Sequence, residues 1–102
     1  MEQDAQKLEK AKELLKHVMD PELGMSIVDL GLVYDLRVED NRAYVLFTLT
    51  TAGCPIGGLI TDQIHRVLAP LGFDDIQVEL TFDPPWTPDR ITPEGRRHLG
   101  LG

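Results

Sequence analysis

The sequence predicts an α+β domain of two layers, in which helices pack on one face of a small three-stranded sheet. Two segments repeat their apolar residues at helical spacing, and three others alternate or are rich in β-branched and aromatic residues. The predicted order is α-β-β-α-β, followed by a short C-terminal helix. One hydrophobic core commonly closes at about 100 to 150 residues. The 102 residues therefore predict a single domain, residues 1–102.

The first helix is predicted over residues 5–19, where apolar residues recur every three or four positions. Lys and Glu residues lie between them, so one face is apolar and the other is solvated. Asp20-Pro21 ends the helix, because a residue before proline is pushed out of the α region. We therefore predict a loop over residues 20–31, with a turn at Gly24.

Two strands follow as a predicted antiparallel hairpin. Residues 32–39 alternate with the period of two that a half-buried strand shows. Residues 43–50 are rich in β-branched and aromatic types, and the polar run 39–42 separates the two segments. Two such segments joined by a short polar run are typical of a hairpin.

A second helix and a third strand complete the predicted core. Residues 56–68 return to helical spacing and end at Pro70-Leu71-Gly72. The strand over residues 75–82 places four apolar side chains on one side: Ile76, Val78, Leu80 and Phe82. In the tail, Thr92 is a predicted N-cap and Pro93 the first residue of a short helix.

Composition excludes several kinds of partner. With 17 acidic and 10 basic residues, the net charge of −7 argues against nucleic acid or an anionic membrane surface. The longest uncharged stretch contains glycine and proline and does not predict a membrane-spanning helix. The first residues lack the layout of a signal peptide, so we expect a cytoplasmic protein. The single cysteine, Cys54, excludes a disulfide within one chain.

Cys54 is the best candidate for chemistry, because it lies between the second strand and the second helix. Pro55 suits the first turn of that helix, which places Cys54 at or near the N-cap. Free amides and the positive end of the helix dipole favour a thiolate there, the form that ligates metals and attacks electrophiles. Gly53, Gly57 and Gly58 leave room for a ligand or partner. A small buried cysteine at a tight turn is an equal alternative on these local features.

Two further features have functional and structural interpretations. Asp20 and Glu22 are able to hydrogen-bond loop amides or bind a cation. The local sequence favours the alternative, solvated acids with Asp20 holding the turn. Trp86 follows two prolines, and it either caps the open end of the sheet or presents an anchor for a partner.

The sequence argues against several kinds of catalytic and ligand site. His65 lies eleven helical residues from Cys54, about 16 Å away, so the two cannot share a metal or form a nucleophile–base pair. His17 is able to approach Cys54 as a base if the fold brings the first helix beside it. Structural zinc takes four ligands in closely spaced pairs, which one cysteine and three scattered histidines do not provide. The glycines at 53–58 lack the lysine and hydroxyl of a phosphate-binding loop, so we expect no bound nucleotide. With His65 too far from Cys54 to act as its base, we also do not expect a cysteine hydrolase, and we predict a protein that is not an enzyme.

Four motifs then occur in order: Asp20-Pro21-Glu22-Leu23-Gly24, the run from Ser26 to Tyr34, the run from Thr50 to Pro55, and Pro85-Trp86. Together they resemble the iron-sulfur cluster assembly domain family that includes the SufT and PaaD proteins. The resemblance extends from about Lys7 to Gly100. It implies a compact α/β fold and a role in maturing iron-sulfur proteins, with scaffold, carrier or client proteins as partners.

The resemblance also implies site residues and a cargo. Cys54 matches the family's reactive cysteine, Asp20 and Glu22 match the acidic motif near it, and Thr51 lies on the same loop. The cargo is then an iron-sulfur cluster or iron, bound in transit. Because a cluster typically needs four ligands, Cys54 requires others from a partner, from small thiols or from a second copy in a homodimer.

Three hypotheses follow. The first is an assembly factor that transfers iron or a cluster through Cys54. The second is a non-catalytic adaptor, such as a phenylacetate oxygenase assembly helper, that recruits clients through the Trp86 loop and has a structural cysteine. A small thiol enzyme ranks third. PaaD-type members carry a cysteine-rich C-terminal extension, and its absence after Gly102 favours a SufT-like factor.

Overall fold

The structure is a computed structural model that describes residues 2–50 and 56–100. Its helices and strands within these ranges are α1 (Glu2–Leu15), β1 (Met19–Asp20), β2 (Met25–Ser26), β3 (Val33–Glu39), β4 (Arg42–Phe47), α2 (Gly57–Leu68), β5 (Asp75–Leu80) and α3 (Pro93–His98). Short 3-10 turns at Ala69–Leu71 and Pro88–Arg90 follow α2 and precede α3. Over these described ranges, every helix is too short or too polar to cross a membrane.

The predicted three-stranded sheet is confirmed, with β4 between β3 and β5. β3 and β4 are antiparallel, which confirms the predicted hairpin. Its turn gives Asp40 and Asn41 positive φ values of 50° and 60°, the conformation of a type I′ turn, which aspartate and asparagine tolerate. β5 runs parallel to β4, so α2 forms the crossover connection between them.

The helices cover one face of the sheet, and the core lies between the two layers. Alternate residues of β4 are buried on that face: Ala43, Val45 and Phe47. Residues of α1, of the chain after it and of α2 pack against them: Ala11, Leu15, Val18, Ile60, Ile64 and Leu68. This arrangement confirms the predicted α+β fold of two layers.

The opposite face of the sheet is polar. Tyr44 of β4 lies on it, and its hydroxyl donates a hydrogen bond to Oε2 of Glu79 in β5 at 3.2 Å. Desolvation raises the pKa of Tyr44 above its ordinary value of 10.0, and the hydrogen bond and negative charge of Glu79 add to this rise. Arg37 of β3 pairs with Asp35 at 2.8 Å on the same strand.

The first helix ends earlier than predicted, at Leu15 rather than residue 19. The amide of Val18 bonds to the carbonyl of Leu15 at 3.1 Å in a tight turn, and the next two residues enter β1. Val18 is nevertheless fully buried, so the helical spacing continues past the helix because the following turn also faces the core. The predicted loop over residues 20–31 contains β2, which pairs with β1.

The third strand ends at Leu80, two residues before its predicted end. Ile76, Val78 and Leu80 pair in register with the buried residues of β4, which confirms that they share one side. The end of this row is nevertheless open, because Leu80 is 41% exposed and Phe82 is 42% exposed.

The tail forms the predicted short helix with its predicted cap. Pro93 is the first residue of α3, and the Thr92 hydroxyl accepts a hydrogen bond from the Gly95 amide at 3.1 Å. This bond satisfies one of the amides that the first turn of a helix leaves without a partner.

Candidate functional site

Cys54 and Thr51, two of the predicted site residues, lie outside the described residues. The segment 51–55 that contains them is bracketed by Thr50, which is half-buried, and by Ile56, the N-cap of α2. Cys54 therefore precedes the N-cap by two positions in the sequence. The Ile56 side chain provides no hydrogen bond to the first turn of α2, so this helix end keeps the positive character that attracts anions.

The two acids of the predicted supporting loop differ in exposure. Asp20 is 0% exposed, whereas Glu22 is exposed. Oδ1 of Asp20 accepts hydrogen bonds from the amides of Glu22 at 2.7 Å and Leu23 at 3.2 Å. Asp20 therefore holds its own turn, as the structural interpretation of this loop expects.

The second carboxylate oxygen of Asp20 has no such role. Within residues 2–50 and 56–100, Oδ2 is buried and has no hydrogen-bond partner. Burying an acceptor without a partner costs free energy, and such groups are uncommon in folded proteins. The turn thus keeps one oxygen of a fixed carboxylate available to a donor or a cation.

Short backbone ladders hold the Asp20 turn in place. Met19 and Asp20 pair with Ser26 and Met25, and the Gly24 amide bonds to the Asp20 carbonyl at 2.8 Å. The ladder continues one step outwards, where the amide of Ile27 bonds to the carbonyl of Val18 at 2.9 Å. The carboxylate is therefore placed by main-chain geometry as well as by its own hydrogen bonds.

The C-terminal tail packs against the second half of the same loop. The indole N–H of Trp86 donates to the Leu30 carbonyl at 2.6 Å, and the Thr92 amide donates to the Asp29 carbonyl at 2.9 Å. A Cβ on Gly31 would overlap the carbonyl oxygen of Arg90, so only glycine permits this close approach.

Trp86 is half-buried and packs against the hydrophobic core. Together with its hydrogen bond to Leu30, this position fastens the tail to the loop. The predicted role of Trp86 as a cap on the open end of the sheet stays a prediction. Its use as an anchor for a partner stays a prediction. Nearby, the Tyr34 hydroxyl donates to the Pro84 carbonyl at 2.8 Å, and the Arg90 guanidinium lies 4.7 Å from the centre of the Tyr34 ring.

Thr48 is a buried polar residue that was not among the candidates predicted from the sequence. This residue follows β4 and is 0% exposed, and its Oγ1 has no hydrogen-bond partner among the described residues. A polar residue next to a buried apolar strand was the only signal in the sequence. Thr48 and Asp20 are thus two buried polar side chains, each with an oxygen lacking a described partner.

The next candidate ligands are the three histidines. His17, His65 and His98 are all exposed. In the described part of the chain, no three His, Asp or Glu side chains group as ligands for one metal ion.

Comparison with known proteins identifies the family. The family model described as iron-sulfur cluster assembly protein matches residues 8–80. The Fe-S protein maturation auxiliary factor YitW of Bacillus subtilis is 42% identical over 89 residues, which cover 85% of this chain and 87% of that protein. The Fe-S protein maturation auxiliary factor SufT of Staphylococcus aureus is 43% identical over 86 residues, covering 82% and 98%.

The fold agrees with the same assignment. A crystal structure from Bacillus anthracis, titled as a domain of unknown function DUF59, superposes with a TM-score of 0.87 at 35% identity. The superposition covers 97% of this chain and 96% of that one. The predicted resemblance is therefore confirmed, and the chain belongs to the family of iron-sulfur cluster assembly proteins.

Proposed function

We propose that this protein is a maturation factor for iron-sulfur proteins, and that it passes iron or a cluster to client apoproteins through the thiolate of Cys54. Scaffold or carrier proteins supply the cargo, and the cytosol keeps the thiol reduced. The protein acts by binding and handing on its cargo, not as an enzyme. The names of the Bacillus subtilis and Staphylococcus aureus relatives, both maturation auxiliary factors, support this role.

The observation that carries the proposal is the buried carboxylate of Asp20. One oxygen is fixed by two amides, and the other has no partner among the described residues. A carboxylate in this state is able to accept a proton from a thiol or a hydrogen bond from a donor in the segment 51–55. It is also able to ligate iron. We propose that Asp20 performs this role beside Cys54, with Thr51 on the same segment.

The thiolate also needs a source of stabilisation. The N-terminus of α2, where Ile56 gives no side-chain hydrogen bond, follows Cys54 in the chain. Partial positive charge at such an end lowers the free energy of a nearby thiolate. Since a cluster typically takes four ligands, one Cys54 provides too few. We propose that a partner's thiols or Cys54 of a second copy complete the coordination, and that the exposed Glu22 faces that partner.

The experiment is anaerobic incubation with ferrous iron and sulfide, followed by desalting, iron analysis, absorption spectra and light scattering. We compare wild type with Cys54→Ser, Asp20→Asn and Glu22→Gln. The last two make the same chemical change at a buried and at an exposed acid. Wild type should retain iron, Cys54→Ser should lose it, and Asp20→Asn should retain less than Glu22→Gln, with circular dichroism confirming that each variant is folded.

Transfer is then measured with an apo-ferredoxin as the acceptor. Cysteine-dependent delivery of the cargo supports the proposal, and light scattering shows whether the loaded form is a dimer. Equal iron retention and delivery by wild type and Cys54→Ser would contradict it.

The adaptor with a structural cysteine is a second candidate, favoured by the exposed Leu80 and Phe82. Leu80 is the last residue of β5, and Phe82 follows it by two positions. The adaptor predicts that Cys54→Ala still supports client maturation in cells from which the native gene has been deleted, whereas the transfer factor predicts that it does not.

A further inference from the structure

β5 is an edge strand in the described part of the sheet, because the strand order is β3-β4-β5. Its six residues pair with β4 without a break in register. By contrast, β3 at the other edge has a register shift between Val33 and Asp35, which is one way in which proteins protect an edge from further pairing. β5 contains none of the lysine or proline that also protect edges.

The two side-chain rows of β5 have opposite character. Asp75, Gln77 and Glu79 are exposed on the polar face of the sheet. The other row ends at Leu80, which is 41% exposed, and is followed by Phe82 at 42%. Within residues 2–50 and 56–100, the strand therefore presents a backbone edge with no neighbouring strand, an acidic row and an apolar end.

The apolar end of β5 touches the start of α2. A Cβ placed on Gly57 would lie 3.1 Å from Cδ2 of Leu80. A chain bound along β5 would thus reach the first turn of α2, which begins three residues after Cys54 in the sequence.

A second copy of this chain is a poor occupant of the edge. Antiparallel pairing of two β5 strands about Gln77 would place Asp75 of each copy opposite Glu79 of the other. Like charges directly opposite in a sheet are destabilising, whereas opposite charges add stability. The acidic row therefore disfavours self-association and favours lysine or arginine in a partner strand.

We propose that the outer edge of β5 binds an extended segment of a partner protein in which basic residues alternate with apolar residues. The segment adds to the sheet as a fourth strand. Its basic side chains face Asp75 and Glu79, and its apolar side chains cover Leu80 and Phe82. This docking needs no thiol, so it goes beyond the proposed function and does not depend on Cys54.

The test uses a labelled, capped octapeptide of alternating Lys and Val, with binding followed by fluorescence anisotropy. Two further peptides are the controls: a block version with the same composition, and an alternating version methylated at the backbone nitrogens of one edge. Methylation removes hydrogen-bond donors but keeps the charge. We expect it to weaken binding at least about tenfold, since it removes several backbone hydrogen bonds.

Protein variants locate the site. Glu79→Lys should weaken binding about 2- to 30-fold, because it replaces one favourable cross-strand charge pair by a pair of like charges. Glu94→Lys makes the same change of charge on exposed α3 and should leave affinity unaltered. Amide shifts in NMR spectra should be confined to residues 75–82 and their neighbours, and Cys54→Ser should bind like wild type.

Two results would overturn the inference. Equal binding of the methylated, block and alternating peptides would show attraction by charge alone. Absence of binding by the alternating peptide would show that the edge of β5 does not accept a segment of this kind. Neither result affects the proposed role of Cys54, which is measured by iron retention and delivery.

Discussion

Replacing Trp86 by phenylalanine tests how the tail is fastened to the loop that follows Asp20. The change keeps an aromatic ring but removes the N–H that donates to the carbonyl of Leu30 at 2.6 Å. Leu30 is fully buried. A hydrogen bond contributes about 0.5–1.5 kcal/mol, and a buried acceptor left without a partner costs about 1–3 kcal/mol. We therefore expect the free energy of unfolding to fall by about 1–2 kcal/mol.

Urea unfolding followed by circular dichroism is the appropriate assay, because Trp86 is the only tryptophan and its fluorescence disappears with the mutation. In a thermal experiment on a domain of this size, each kcal/mol lowers Tm by about 4–8 °C. Phe82→Leu, a change at an exposed ring, is the control and should alter stability by less than about 0.5 kcal/mol. If Trp86→Phe is as mild as this control, the hydrogen bond does not hold the tail, and the ring is free to act as an anchor for a partner.

Two other substitutions test packing and ionisation. Gly24 and Gly31 both have positive φ, a conformation that costs alanine about 1–2 kcal/mol. Only Gly31→Ala also makes the new Cβ overlap the Arg90 carbonyl. The urea midpoint of Gly31→Ala should therefore fall further than that of Gly24→Ala. Gly24→Ala, with no atom within 4 Å of the new Cβ, is its matched control, and equal losses would refute the close contact. Because the folded pKa of Tyr44 lies above the unfolded value of 10.0, its contribution to stability is complete below pH 10 and is lost as pH rises through the folded pKa. Tyr44→Phe should therefore lose less stability than wild type between about pH 9 and about pH 11, and equal losses would contradict this origin.

Local patterns predicted most of the fold because each depends on neighbours in sequence. Helical spacing over residues 56–68 reflects one buried face, and the structure shows this helix. Alternation over residues 32–39 predicted a strand, and the strand forms with a register shift between Val33 and Asp35. The first helix was placed four residues too far because Val18 faces the core both in a helix and in the turn that replaces it. Apolar spacing alone cannot distinguish these two conformations.

The candidate site was less predictable, since its contacts join distant parts of the chain. The hydrogen bond of Trp86 spans 56 residues, and nothing in the Pro-Trp motif itself names Leu30 as its acceptor. Similarly, the acidic motif did not reveal that Asp20 is buried and Glu22 exposed. Burial depends on how the β1–β2 ladder packs, and two residue pairs leave almost no pattern in a sequence.

The small size of the β1–β2 ladder has a consequence for motion. β4 is hydrogen-bonded to a strand on each side, β3 and β5. Exchange of its amides with solvent deuterium should therefore require the whole sheet to open. The ladder beside Asp20 consists of two residue pairs, and so small a unit opens at a lower free energy than the sheet. The buried carboxylate is therefore able to meet solvent or a partner while the rest of the domain stays folded. Faster exchange at Ile27 than at Val45 would record this local opening.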